Sequence, residues 1–185
     1  RYFQIARCFR DEDLRADRVQ ELTQLDVEMS FPDREVLFRL MEEMFAAIWR
    51  ECLDVEISTP WPRMTFAEAD RRFGSDKPDT RFGLELEDAT ELTRGSEFGV
   101  FAGADAVRFL RVPRTYSRAE LGALEALAKE RGAKGLAYLV RDDSGELRSP
   151  IAKFLSGREL DALAPAPGET LLFAADTWET TSRVL

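Results

Sequence analysis

Two runs of strict alternation constrain this fold more than any other feature of the chain. In residues 23–31, Leu25, Val27, Met29 and Phe31 fall on one face, and Gln24, Asp26, Glu28 and Ser30 on the other. In residues 2–10, Tyr2, Gln4, Ala6, Cys8 and Arg10 alternate with Phe3, Ile5, Arg7 and Phe9. A period of two belongs to a β-strand with one covered face and one open face. Between the runs lie residues 11–18, dense in both charge signs and a loop by composition. Strand, charged loop and strand predict a long antiparallel hairpin.

Pro32 and Asp33 then open a helix, with Asp33 as its N-cap. Val36, Leu37, Leu40, Met41, Met44, Phe45, Ile48, Trp49 and Cys52 recur at helical spacing. That stripe is expected to pack on the apolar face of a sheet. Pro60-Trp61-Pro62 breaks the chain, and Thr65-Phe66-Ala67-Glu68 is a capping box opening a short helix that ends near Gly74. Residues 75–79 are turn-rich. Beyond residue 91 the pattern changes to short strands, expected at 98–101, 106–112, 135–140, 149–154 and 170–174. Capping boxes at Ser117/Glu120 and Ser156/Glu159 open helices ending near Gly132 and Ala164. A domain boundary is expected at residues 88–95, which divides the chain into 1–92 and 93–185.

Composition narrows the chemistry. There are 185 residues, no histidine, two cysteines and a net charge of −9. Without histidine there is no Ser-His-Asp or Cys-His nucleophile system and no imidazole-bound zinc. Cys8 and Cys52 are too few for a four-cysteine metal site or a disulfide framework, and read as small core residues. No metal site is assigned. The acidic balance argues against blanket binding to nucleic acid or membrane, while leaving room for a local basic loop. No run of about 18 apolar residues suggests a membrane span, and a reduced, cytoplasmic protein is the simple reading. The chain opens at Arg1 inside a strand pattern and stops at Leu185 inside an apparent helix, as expected of a piece of something longer.

The hairpin carries the candidate chemistry. Ala6 and Cys8 are small and share a face with Arg10, while Gln24, Asp26 and Glu28 project together from the second strand. If these faces coincide, they form a floor with acceptors at its centre and a guanidinium at one rim. A carboxylate holds an ammonium group and arginine forks two phosphate oxygens, so the floor suits a zwitterionic ligand. A solvent-facing sheet with ordinary outward polar residues produces the same pattern, and on the pattern alone it is the favoured reading. Arg15 and Arg18, beside Asp11, Glu12, Asp13 and Asp17, read equally as solvated loop charges.

Residues 1–31, RYFQIARCFRDEDLRADRVQELTQLDVEMSF, closely resemble motif 2 of bacterial-type aspartyl-tRNA synthetase, a class II aminoacyl-tRNA synthetase. The segments MTFAEADRRFGSDKPDTRFGLEL, LRVP, GAKGLAYL, SPIAKFL and TLLFAAD are similar to the same family. The resemblance implies an α+β fold: a partial class II antiparallel sheet core over residues 1–92, then a mixed α/β GAD-type insertion domain over 93–185. It implies that Arg10 binds the α-phosphate of ATP, with Asp11 and Glu12 at adjoining ATP contacts. Asp26 would receive the ammonium of aspartate, with Gln24 on the same strand face. Arg15 and Arg18 would meet the acceptor end of tRNA. Magnesium would bridge the phosphates, and the parent would be a cytoplasmic homodimer charging tRNA with aspartate.

The chain departs from the family where Gln-Pro-Glu-Phe usually stands, reading Val19-Gln20-Glu21-Leu22. In the family that Gln contacts ATP and that Phe stacks on adenine. Val19 lacks the hydrogen bond and Leu22 the aromatic face. A degenerate, synthetase-like protein that binds RNA or a partner without catalysis is the alternative this departure motivates. The second ATP arginine and the aspartate-selecting arginine of the family find no match in this chain, so the isolated piece is expected to be inactive.

Overall fold

The computed structural model describes residues 1–11, 13, 15, 16 and 18–185. The chain divides into two compact units, Arg1–Arg63 and Met64–Leu185. In the first, β1 (Tyr2–Phe9) and β2 (Glu21–Glu28) form the expected antiparallel hairpin. Helix α1 (Arg34–Leu53) follows, opened by Asp33, whose side chain accepts the Glu35 N–H at 2.8 Å. Asp54 closes it in the left-handed conformation, φ 54°.

The apolar stripe of α1 is not covered as expected. Leu37, Leu40, Phe45, Ile48 and Trp49 each stay 37–42 % exposed. On the hairpin, Phe3, Ile5 and Phe9 are 71–75 % exposed. A two-stranded ribbon is too narrow to sheathe a 20-residue helix. What α1 does bury is a carboxylate, Glu42.

The second unit is built on a five-stranded sheet, wholly antiparallel where a strand is paired, in the order β3-β4-β7-β5-β6. These strands are β3 (Leu86–Asp88), β4 (Ala106–Val112), β5 (Ala137–Arg141), β6 (Leu147–Arg148) and β7 (Glu169–Asp176). Around them lie α2 (Phe66–Phe73), α3 (Thr90–Thr93), α4 (Gly99–Ala102), α5 (Arg118–Glu130), α6 (Gly157–Ala162) and α7 (Trp178–Val184). Strand β7 lies at the centre, and its Thr170, Leu171, Leu172, Phe173 and Ala174 are all buried. A strand covered on both faces reads as a continuous apolar run, which is why its alternation is weak in the sequence. One face packs Phe101, Val107, Phe109, Leu139 and Phe173; the other packs Val112, Leu121, Val140 and Leu172.

In compactness the chain divides at Arg63 and Met64, ahead of the 88–95 stretch. That stretch is hydrogen-bonded to β4: Ala89 N–H donates to Val107 O at 2.8 Å, and Val107 N–H to Thr90 Oγ1 at 3.0 Å.

Two expected strands are helical. Of residues 98–101, Phe98 is the N-cap of α4 and the rest lie within it, because a helical turn brings Phe98 edge-on to Phe101 at 4.9 Å. Residues 149–154 end in a 3₁₀ turn, Ala152–Phe154. Ser149 causes it: its Oγ accepts the N–H groups of Ile151 (3.1 Å) and Ala152 (3.2 Å) and donates to Tyr138 O (2.7 Å). The boxes at Ser117/Glu120 and Ser156/Glu159 are complete in both directions. At Thr65 only the hydroxyl half forms, since Glu68 turns to Arg72 at 2.6 Å.

Candidate functional site

Directly opposed residues of an antiparallel pair share a face. The register pairs Tyr2 with Glu28, Gln4 with Asp26, Ala6 with Gln24 and Cys8 with Leu22. The polar faces of the two strands therefore coincide, as the floor requires. The Arg10 N–H donates to Gln20 O at 2.8 Å and carries the ladder one step past the strand, so Arg10 stands at the rim. The reverse face carries Phe3, Ile5, Arg7 and Phe9 opposite Val27, Leu25, Thr23 and Glu21, with an Arg7–Glu21 ion pair.

The floor is graded along its length. Gln4 Nε2 lies 3.5 Å from Asp26 Oδ2, a long contact that leaves the carboxylate able to accept another donor. Ala6, beside Gln24, is a small side chain, and both are half-buried. Leu22 then supplies an apolar step opposite the Cys8 thiol. Gln4, level with Asp26, and Arg10 are six residues apart, roughly 20 Å of extended strand. A ligand touching both ends is elongate, and the long Arg10 side chain has to reach back along the strand to shorten that span.

In the loop, Arg15 and Arg18 form an isolated bridge, with backbone N–H···O distances of 3.4 and 3.2 Å. The bridge sets two cationic residues opposite one another. Asp11 is exposed next to Arg10. Glu12, an expected ATP contact, lies outside the described residues. Among the described residues no group of three or more Cys, Asp or Glu is placed to hold a metal ion. At the open end of the hairpin, Tyr2, Val27, Glu28 and Met29 border a cavity of about 490 Å³ together with Val36 and Leu40 of α1.

Two features were not anticipated from the sequence. One is Glu42, 4 % exposed, which accepts the Trp61 N–H at 3.2 Å and a short bond from Arg63 Nη1. Arg63 also lies over the Phe38 ring at 4.6 Å. The signal was an acid at helical spacing between Phe38 and Phe45. The Arg63 hydrogen bond holds the Glu42 carboxyl below its ordinary value near 4.5, against the opposing effect of burial. A lowered carboxyl stabilises the fold fully above the unfolded value and loses that contribution as pH falls through the folded one. Glu42→Gln should therefore be less stable than the parent chain at pH 7, with the gap closing below about pH 4. Urea titrations at pH 7 and pH 3, read by the fluorescence of nearby Trp61, check this; an equal gap at both values would contradict it. The other unanticipated residue is Arg108, wholly buried in β4, whose signal was an arginine inside the apolar run Ala106–Val112.

The family model for class II tRNA synthetases (D, K and N) matches residues 1–176. An aspartate–tRNA(Asp/Asn) ligase of Moorella thermoacetica is 52 % identical across 100 % of this chain, which covers 32 % of that protein. An aspartate–tRNA ligase of Bacillus licheniformis is 49 % identical across 100 % of the chain and 33 % of its own length. For an aspartate–tRNA(Asp/Asn) ligase of Heliobacterium modesticaldum the figures are 52 %, 95 % and 31 %. The chain thus spans about a third of the length of the curated relatives it matches. With a match of that extent, and a hairpin whose register gathers the expected acid, amide and guanidinium on one face, the chain belongs to the class II tRNA synthetases of the D, K and N group.

Proposed function

We propose that this chain is part of an aspartate–tRNA ligase, and that its hairpin floor takes the aspartyl-phosphate portion of the reaction. The observation that carries this is the register, which sets Asp26 and Gln24 on one face with Arg10 at the rim. Asp26 accepts the ammonium of aspartate, and Gln24 contributes an amide beside it. Asp11 and Glu12 belong to the ATP side of the site. The substrate carboxylate, already ionised at neutral pH, attacks the α-phosphorus of ATP, and the bond to pyrophosphate breaks. Arg10 neutralises charge on that phosphate as the bonds exchange. No side-chain base is needed for this step, because the attacking carboxylate is already ionised. The ribose hydroxyl of tRNA then takes the aspartyl group from the resulting aspartyl-adenylate, as the acyl–phosphate bond breaks and AMP leaves.

Arg15 and Arg18 support the RNA end of this reading. Like charges set opposite one another repel, and a phosphate between them relieves that repulsion. Magnesium belongs to the reading as a companion of the ATP phosphates. The described residues gather no carboxylate cage for it, so no step is assigned through it. The same reading includes a homodimeric parent in the cytoplasm, residues 1–92 as catalytic core and 93–185 as a GAD-type insert. No helix among the described residues is long and apolar enough to cross a membrane.

The experiment is aspartate-dependent pyrophosphate exchange by the full-length protein. Asp26→Asn should raise the KM for aspartate by about 10- to 100-fold, the range for losing a charged hydrogen bond, with a smaller change in the KM for ATP. Exchange that is absent in the unaltered full-length protein would replace this reading with a non-catalytic RNA- or partner-binding one.

A further inference from the structure

Arg108 joins three elements of the second unit. Its Nη1 donates to Ser182 Oγ of α7 at 2.6 Å. Its Nη2 donates to the carbonyls of Asp70 (3.2 Å) and Arg71 (2.5 Å), in the last turn of α2. The Trp178 indole of α7 covers the guanidinium at 4.1 Å from the ring centroid. That indole also donates its Nε1–H to Asp70 Oδ2 at 2.7 Å. Arg108 Nε has no hydrogen-bond partner among the described residues.

Other contacts hold α7 from both sides. Gly74, the C-cap of α2 at φ +63°, lies so close to α7 that an added Cβ would stand 2.8 Å from Ser182 Cβ. Arg183 Nε donates to Arg131 O, at the C-terminus of α5, at 2.9 Å. Leu185 borders a cavity of about 200 Å³ with Phe73, Pro78 and Phe82. Val184 and Leu185 border a second, of about 210 Å³, with Leu124 and Leu127.

We propose that α7 is a strap latched by Arg108, and that unlatching frees α7, the last turn of α2 and the adjoining residues 74–82 as one event. Closed, the latch gives the Arg71 carbonyl a donor, adds one to the Asp70 carbonyl, which also accepts the Gly74 N–H, and meets the Ser182 hydroxyl, but it strips a guanidinium of water and leaves Nε unmet. Opening returns that water, which offsets much of the lost bonding. Elements balanced in this way are the first to open below the global unfolding limit. Because Leu185 borders both cavities, release of α7 removes a wall they share and joins them into one groove beside residues 74–82.

The test is hydrogen–deuterium exchange, followed peptide by peptide in the full-length protein. Arg108→Met keeps the length of the side chain and removes every donor. It should accelerate exchange in residues 178–185 and 70–82 together, by about tenfold or more, leaving the core amides of β7 unchanged. Trp178→Phe, which keeps a ring over the guanidinium but drops the bond to Asp70, should accelerate the same two segments by less. Acceleration of α7 with residues 70–82 unaffected would overturn the proposal, as would equal acceleration through β7. Should Arg108→Met fail to fold, Trp178→Phe and Ser182→Ala decide alone, and unchanged exchange in both rejects the latch.

Discussion

Arg10→Gln in the full-length protein is expected to lower aspartate-dependent pyrophosphate exchange by about 10²- to 10³-fold, the usual cost of deleting one preorganised group that meets charge developing in a transition state. The backbone of Arg10 is set by its bond to Gln20, so the substitution leaves the rim in place. Glutamine retains donors but loses the positive charge and the two-pronged geometry that matches phosphate oxygens. Arg10→Lys restores charge without the fork and should recover part of the activity. If Arg10 acts on the reacting phosphate, the loss falls mainly in kcat. A loss confined to the KM for ATP would mark it as a ground-state contact only.

Phe173→Ala should cost the second unit about 3–5 kcal/mol, the range for deleting a fully buried aromatic ring. Phe173 is 1 % exposed on central strand β7. Its ring stands 5.1 Å from Phe109 and 5.5 Å from Phe101, centroid to centroid, so its removal opens a void that touches β4 and α4 together. A drop in melting temperature of roughly 10–20 °C would follow. Phe173→Leu keeps most of the volume and should lose less than half as much. Calorimetry of both variants checks the order, and equal losses would mean that void volume is not what sets the cost.

The hairpin was legible because one face of each strand differs chemically from the other, and a period of two survives in a single sequence. The cross-strand register was not legible, because loop length alone does not say which residues oppose. The structure supplied it and brought Gln24 and Asp26 level with Ala6 and Gln4. Strand β4 matches the expected span of 106–112, whereas 98–101 and 149–154 did not stay strands. In both cases a local interaction overrode a short apolar run: a Phe98–Phe101 ring contact in one, the Ser149 hydroxyl in the other. Glu42 and Arg108 were hidden for a different reason. Polar residues are assigned outward by default, and their partners, Arg63 and the last turn of α2, lie far away in sequence.

The floor of the hairpin is a question of parity. Residues 10 and 26 serve one surface because each is an even number of steps from its neighbours along the strand, and side chains alternate sides at every step. Changes such as Val19 alter what the connecting segment offers without moving Asp26. One residue inserted within β2, between Leu22 and Leu25, would turn Asp26 onto the side of Phe3 and Ile5 and bring Leu25 up in its place. The arrangement therefore tolerates drift in composition at the tip far better than a change of one in the count of residues along the strand.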